Sequence, residues 1–154
     1  FLMSFFSSFS QVESTAYGLM LKTLLSNSVP HISVAESTNK KAIFLDARAY
    51  QEFKVSHIKG AEWIGYEEFE ISSVAKLEKS KPIIIYCSVG YRSEKIGEQL
   101  IKEGFKEVYN LYGGIFEWKN QGKVIVDEEN NPTEKIHAYS KTWGIWISKG
   151  QKVY

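Results

Sequence analysis

The chain has one cysteine, Cys87, among 154 residues. That excludes an intramolecular disulfide and any zinc site built on several thiolates. Histidine is scarce too. His31, His57 and His137 stand far apart and show none of the spacings of a metal-binding helix. No metal and no organic cofactor is implied. An excess of one charge is also missing. Nineteen Lys and Arg against 18 Asp and Glu leave +1, so no global field draws nucleic acid or an acidic surface. No apolar run reaches the roughly 20 residues that a membrane span needs. Internal repeats and low-complexity linkers are lacking. What is left is ordinary globular composition, 44% hydrophobic and 24% charged, at a length of about one domain.

The opening residues, Phe1 to Ser10, read FLMSFFSSFS. An apolar run followed by small residues resembles the last part of a secretory signal, with cleavage near Ser10 or Gln11. The expectation that follows is a periplasmic or secreted protein; a frayed terminus and a cytoplasmic location are the plain alternative. Residues 11–31 read as an N-terminal helical extension, because Tyr17 to Leu25 is nearly all apolar and rich in helix formers. Asn27 to Pro30 breaks it. Ile32 to Ala35 reads as a short strand.

The middle of the chain alternates. Ala42–Leu45, Ile83–Tyr86 and Val108–Leu111 are short apolar runs, and helical patterns lie between them. Ala49–Phe53 reads as a helical turn. Ser93–Glu103 carries Ile96, Leu100 and Ile101 on one stripe, and Gly104 stops it. Ile115–Asn120 reads as a further helix after Gly113-Gly114. Buried strands alternating with helices predict an α/β fold whose central parallel sheet is covered on both faces. Asp127–Asn131 before Pro132 marks a solvated turn. Residues 123–154 read as an aromatic extension carrying Tyr139, Trp143, Trp146 and Tyr154. Gly144, Ile145 and Ile147 favour an extended course for it. It is expected to pack on the domain, since large exposed apolar patches are uncommon.

Cys87 stands where the run Ile83–Tyr86 stops, and a helix begins at about Ser93. In an open α/β sheet, ligands bind outside the carboxyl ends of the strands. The loop Cys87-Ser88-Val89-Gly90-Tyr91-Arg92 feeds a helix N-terminus, which favours an anion. Gly90 permits a backbone that a β-carbon resists, so successive amides can turn inward. Arg92 adds a permanent charge. Such surroundings favour the thiolate, the nucleophilic form. Cys87 and Arg92 are therefore the candidate catalytic residues. Ser88, Val89, Gly90, Tyr91 and Ser93 are the candidate substrate-binding residues, with Val89 and Tyr91 shaping the pocket mouth. The plain alternative is an inert buried thiol at a strand end.

At this loop the sequence resembles the rhodanese-like family of sulfurtransferases. The resemblance covers residues 32–122. Asp46-Ala47-Arg48 is similar to the family's Asp-x-Arg, and His57-Ile58-Lys59-Gly60-Ala61 to its His-Ile-x-Gly-Ala. Cys87 to Ser93 is similar to its Cys-x-x-Gly-x-Arg-Ser loop, and Gly113-Gly114 with Trp118 to its Gly-Gly-x-x-x-Trp ending. The stretch from Ile32 to Ala42 is short for the family's first helix. The resemblance implies a three-layer fold and a Cys87 persulfide during turnover. It implies an anionic sulfur donor such as thiosulfate, or a persulfide, and a thiol or cyanide acceptor, with a protein acceptor also open. A non-catalytic sulfur carrier or interaction module is the alternative. A phosphatase or arsenate reductase is another, but such enzymes use a longer loop, and four residues separate Cys87 from Arg92 here.

The other matched residues have plainer readings. Asp46 and Arg48 read as an ion pair tying loops together, and His57 as a structural group. Trp63 and Trp118 read as core or rim. Glu94-Lys95 reads as a solvated helix face. Glu117 reads as facing solvent or partnering a basic residue near the site.

Overall fold

β-branched runs make the centre of the molecule. The computed structural model describes residues 12–154, and the signal-like run Phe1 to Ser10 lies outside the described residues. In chain order, α1 (Thr15–Leu24) is followed by β1 (His31–Ile32), α2 (Val34–Thr38), β2 (Ile43–Asp46) and α3 (Tyr50–Val55). Then come β3 (His57–Ile58), β4 (Glu62–Trp63), β5 (Ile83–Tyr86) and α4 (Tyr91–Lys102). The chain continues with β6 (Val108–Leu111), α5 (Gly114–Asn120), β7 (Ile125–Val126) and β8 (Pro132–Thr133). It finishes with β9 (Lys135–His137), α6 (Lys141–Gly144) and β10 (Gln151–Val153).

The main sheet has the order β1-β6-β5-β2-β4, and its pairs are parallel. Side chains alternate across it. On β5, Ile83 and Ile85 join Ile96 and Leu100 of α4 in one core, while Ile84 and Tyr86 join Tyr17, Leu21 and Phe116 in the other. Each fully buried aliphatic side chain contributes roughly 1.5–3 kcal/mol. Helices on both faces make the three layers. β2 and β5 end level, with Asp46 opposite Tyr86. The turns after both strands therefore open at the same edge of the sheet.

The stretch Ile32 to Ala35 is not a strand throughout. Only its first residue belongs to β1, and Val34 opens α2. Ser33 accepts from the Glu36 N–H while Glu36 reaches back to the Ser33 N–H, and this reciprocal cap starts a helix there. The extended course read for Tyr139–Ile147 is also corrected. Ser140 caps α6, accepting from the Trp143 N–H.

The C-terminal residues pack closely on the sheet domain. The Trp146 ring stacks on Tyr17 at 5.4 Å, and its carbonyl accepts from the Asn120 amide at 2.9 Å. Lys119 meets Glu134 at 2.7 Å. β9 and β10 pair in parallel, and β7 bridges β3 and β8. Among the described residues, no helix is long and apolar enough to cross a membrane.

Candidate active site

Gly90 makes the loop. Its φ of +124° lies in a region that a β-carbon strains, and it turns the chain from β5 directly into α4. The helix therefore starts at Tyr91, two residues before the sequence suggested. The first-turn N–H groups of α4 have no carbonyl within their own helix to meet. The Gly90 N–H points back at the Cys87 sulfur, 3.1 Å away. The Ser93 hydroxyl lies 3.4 Å from the same sulfur and 2.6 Å from Asn110 Oδ1. That hydroxyl has one proton. It serves Asn110 when the thiol itself can donate to the Ser93 oxygen, and it can turn to the sulfur when the sulfur carries charge. Asn110 fixes the frame, since its Nδ2 donates to the Gly90 carbonyl at 2.9 Å.

The back of the loop is held by α5. Ile115 and Phe116 donate their N–H groups to the carbonyls of Cys87 and Ser88 at 3.0 and 3.1 Å. Gly114 is required for this approach. A β-carbon there would overlap the Ser88 carbonyl and sit 2.5 Å from that of Cys87. Drawing these carbonyls toward α5 leaves the opposite side of the loop to its amides. Tyr17 reinforces the contact by donating its hydroxyl to the Gly113 carbonyl at 2.7 Å.

Cys87 is only 1% exposed, yet it lines the floor of a pocket of about 250 Å³. Ser88 and Arg92 share that floor. The walls are apolar and aromatic: Leu24 from α1, Val89 and Tyr91 from the loop, and Tyr139 and Trp143 from the C-terminal extension.

The permanent charge of Arg92 is paired. Its guanidinium grips Glu52 of α3 with both arms, at 2.7 and 2.9 Å, and also donates to the Ser88 hydroxyl at 2.9 Å. Ser88 in turn donates to Glu52 at 3.1 Å. Burial pushes the Glu52 carboxyl up, but the Arg92 hydrogen bonds, the charges of Arg92 and Arg48 and the Ala49 N–H outweigh it and hold the group below its usual pKa. For Arg92, burial disfavours the charge, yet Glu52 and Cys87 hold it more firmly protonated than a free arginine. Glu52 was not singled out in the sequence. Its signal was local: a glutamate three residues after Ala49, where it also accepts the Ala49 N–H.

Asp46 and Arg48 form a wholly buried pair. The Arg48 Nη2 lies 2.6 Å from Asp46 Oδ2 and donates to the Ser56 carbonyl at 2.7 Å. His57 stacks on Phe53 at 3.9 Å, with its Nδ1 3.0 Å from the Phe53 carbonyl. It does not line the Cys87 pocket. Trp63 donates to the Arg48 carbonyl at 2.8 Å, and Trp118 to that of Val124 at 2.9 Å.

Glu94, read as solvent-facing, and Glu117, read as facing solvent or partnering a basic residue, are both buried and accept backbone N–H groups. Glu94 accepts from the N–H groups of Ser26 and Asn27 at 2.9 and 3.0 Å, latching the turn after α1 onto α4. Glu117 accepts from the Glu13 N–H at 2.8 Å and from Gln121 at 3.0 Å. Among the described residues, no group of three or more His, Cys, Asp or Glu could hold a metal ion.

The model of the rhodanese-like domain matches residues 33–121. The chain belongs to the rhodanese-like family. It is 33% identical over 92 residues to thiosulfate sulfurtransferase GlpE of Coxiella burnetii, covering 59% of this chain and 85% of that one. It is 34% identical over 87 residues to a tRNA uridine(34) hydroxylase of Hamiltonella defensa, covering 53% of this chain and 24% of the relative. The rhodanese-like domain of an Anabaena protein, solved by NMR, superposes with a TM-score of 0.54 at 27% identity, covering 62% and 72% of the two chains. The rhodanese-like stretch supplies the floor of the pocket. Leu24, Tyr139 and Trp143 lie outside it.

Proposed function

We propose that the protein is a sulfurtransferase that carries a sulfane sulfur on Cys87. The single observation that supports this best is the setting of the Cys87 sulfur, at a pocket floor with the Gly90 N–H at 3.1 Å and the Ser93 hydroxyl at 3.4 Å. Cys87 thiolate attacks the outer sulfur of thiosulfate or of an organic persulfide. The new S–S bond forms as the old one breaks, and sulfite or a thiolate leaves with the electron pair. The loop amides and the Ser93 hydroxyl stabilise charge on the transferred sulfur. A thiol or cyanide then attacks that sulfur, and Cys87 thiolate is released. Two displacements through one covalent intermediate give ping-pong kinetics. The four residues between Cys87 and Arg92 favour sulfur over phosphate, because a tetrahedral phosphoryl group needs a wider ring of amides.

The test is mass spectrometry of the intact protein after exposure to a sulfane donor, and again after cyanide. A gain of one sulfur at Cys87, removed by cyanide and absent in Cys87→Ser, is the expected result. Sulfur transfer that survives in Cys87→Ser would overturn the reading. So would hydrolysis of an aryl phosphate faster than sulfur transfer. A gained sulfur that cyanide leaves in place would point to a carrier with a specific acceptor.

A further inference from the structure

The charge and the walls of the Cys87 pocket are mismatched to a small dianion. Both arms of Arg92 are taken by Glu52, and one also serves Ser88. The pair brings no net charge, so the loop amides and the start of α4 are left to balance an anion near the thiolate. Around that floor stand Leu24, Val89, Tyr139 and Trp143. The volume, about 250 Å³, exceeds the roughly 150 Å³ that suffices for benzene in an apolar protein cavity.

Tyr139 adds an independent sign. It holds a φ of +66°, which is costly for a residue with a β-carbon. The turn is kept by its N–H, which donates to His137 Nδ1 at 3.0 Å, and by the Ser140 N–H, which donates to the Ala138 carbonyl at 2.7 Å. The result is a phenol ring 5.2 Å from the Arg92 guanidinium and still 54% exposed at the pocket rim. Little burial offsets the strain in the unliganded protein. An apolar ligand body lying against the ring and Trp143 would supply it.

We infer that the sulfur donor of this site is a small organosulfur compound with an apolar, ring-sized body and at most one negative charge, selected by Leu24, Tyr139 and Trp143. The inference rests on Cys87 being the sulfur carrier. A thiosulfonate shows the chemistry. Cys87 thiolate attacks its outer sulfur, a Cys87 S–S bond forms, the bond to the sulfonyl sulfur breaks, and a sulfinate leaves with the electron pair. No oxidant or reductant is consumed.

Three probes separate charge from body: thiosulfate, methanethiosulfonate and benzenethiosulfonate. With cyanide as acceptor, kcat/KM for benzenethiosulfonate should exceed that for methanethiosulfonate by about tenfold or more, and thiosulfate should rank last. Trp143→Ala should bring the phenyl-to-methyl ratio close to one, chiefly through KM. Leu24→Ala, on another element, should move it the same way. Binding is read separately, by calorimetry of benzenesulfinate and methanesulfinate on Cys87→Ser. A thiosulfate preference, or a ratio that neither substitution moves, would overturn the inference and leave the sulfurtransferase intact. Selective benzenesulfinate binding that Trp143→Ala abolishes, with no donor giving up sulfur, would support the aromatic pocket and sink the sulfurtransferase reading.

Discussion

Arg48 and Arg92 each grip a carboxylate, but their settings differ. Arg48 and Asp46 are two residues apart, and both side chains are 0% exposed. Arg92 and Glu52 are 40 residues apart, and Arg92 is 16% exposed where it lines the pocket. The first pair closes a local turn after β2 and reaches the Ser56 carbonyl. The second joins α3 to the Cys87 loop and balances the Arg92 charge beside the pocket. The same chemical pair thus serves as a fastener in one place and as a neutraliser in the other.

Breaking the fastener should have the largest effect. Arg48→Met leaves the Asp46 carboxylate buried without its partner and should cost about 3–5 kcal/mol in urea unfolding. A loss under about 1 kcal/mol would mean that the turn holds without the pair.

Glu52→Gln sharpens the comparison from the other side. It should cost less, about 1–3 kcal/mol, because Arg92 can reach water and a neutral amide can still accept one hydrogen bond. It should also restore a cation to the pocket. The thiosulfate-to-benzenethiosulfonate ratio of kcat/KM should rise about tenfold, since the one extra charge of thiosulfate a few ångströms from a cation is worth about 1–4 kcal/mol, against the ~1.4 kcal/mol this requires. An unchanged ratio would show that the pairing does not set donor charge.

Acid should act on His31 and His137 first and on the Arg92–Glu52 pair after them. Burial lowers the pKa of His31 and of His137 below 6.5; Glu94 pulls His31 the other way, while around His137 Glu52 raises it and Arg48 and Arg92 lower it. Their neutral forms contribute stability that is present above pH 6.5 and lost as pH falls through the lowered values. Glu52, held below 4.5, contributes stability present above that value and lost further down. Urea midpoints should therefore fall in two steps between neutral pH and the acid limit. His31→Gln and His137→Gln should flatten the upper step, and Glu52→Gln the lower.

The smallest effect concerns the ring over Arg92. Tyr139→Gly relieves about 1 kcal/mol of backbone strain and loses a cation–π contact of about 0.5–1 kcal/mol, so stability should barely move. Tyr139→Ala keeps the strain and loses the ring. It should be the less stable of the two by about 1 kcal/mol, measured by urea unfolding.

The same contrast explains what could be read from the sequence. Asp46-Ala47-Arg48 is a local motif, and its pairing was legible. β5 and β6 were legible because strands buried on both faces are continuous apolar runs. Glu52 and Asn110, which hydrogen-bond the Cys87 loop and the start of α4, and Leu24 and Trp143, which line its pocket, were not, because they come from separate elements. Asn110 did leave a trace, as a polar residue inside the apolar run of β6. Glu94 and Glu117 misled because a carboxylate on a helix normally faces water. Here each accepts backbone N–H groups from chain that crosses its helix. For α2 the signal was present in Ser33 and Glu36, but the apolar residues beside them suggested a strand.

The anchoring of the Cys87 loop bears on where a transferred atom goes. In the sulfur transfer proposed above, each half-reaction would lengthen or shorten the Cys87 side chain by one sulfur. A loop pinned by Ile115, Phe116 and Asn110 has no slack with which to swallow that atom. In the proposed reaction the added sulfur must therefore find its room in the pocket that Cys87 lines, within reach of the loop amides. The stiffness of the frame would thereby become direction: on the proposed function, the shape of the mount decides where the cargo can stand.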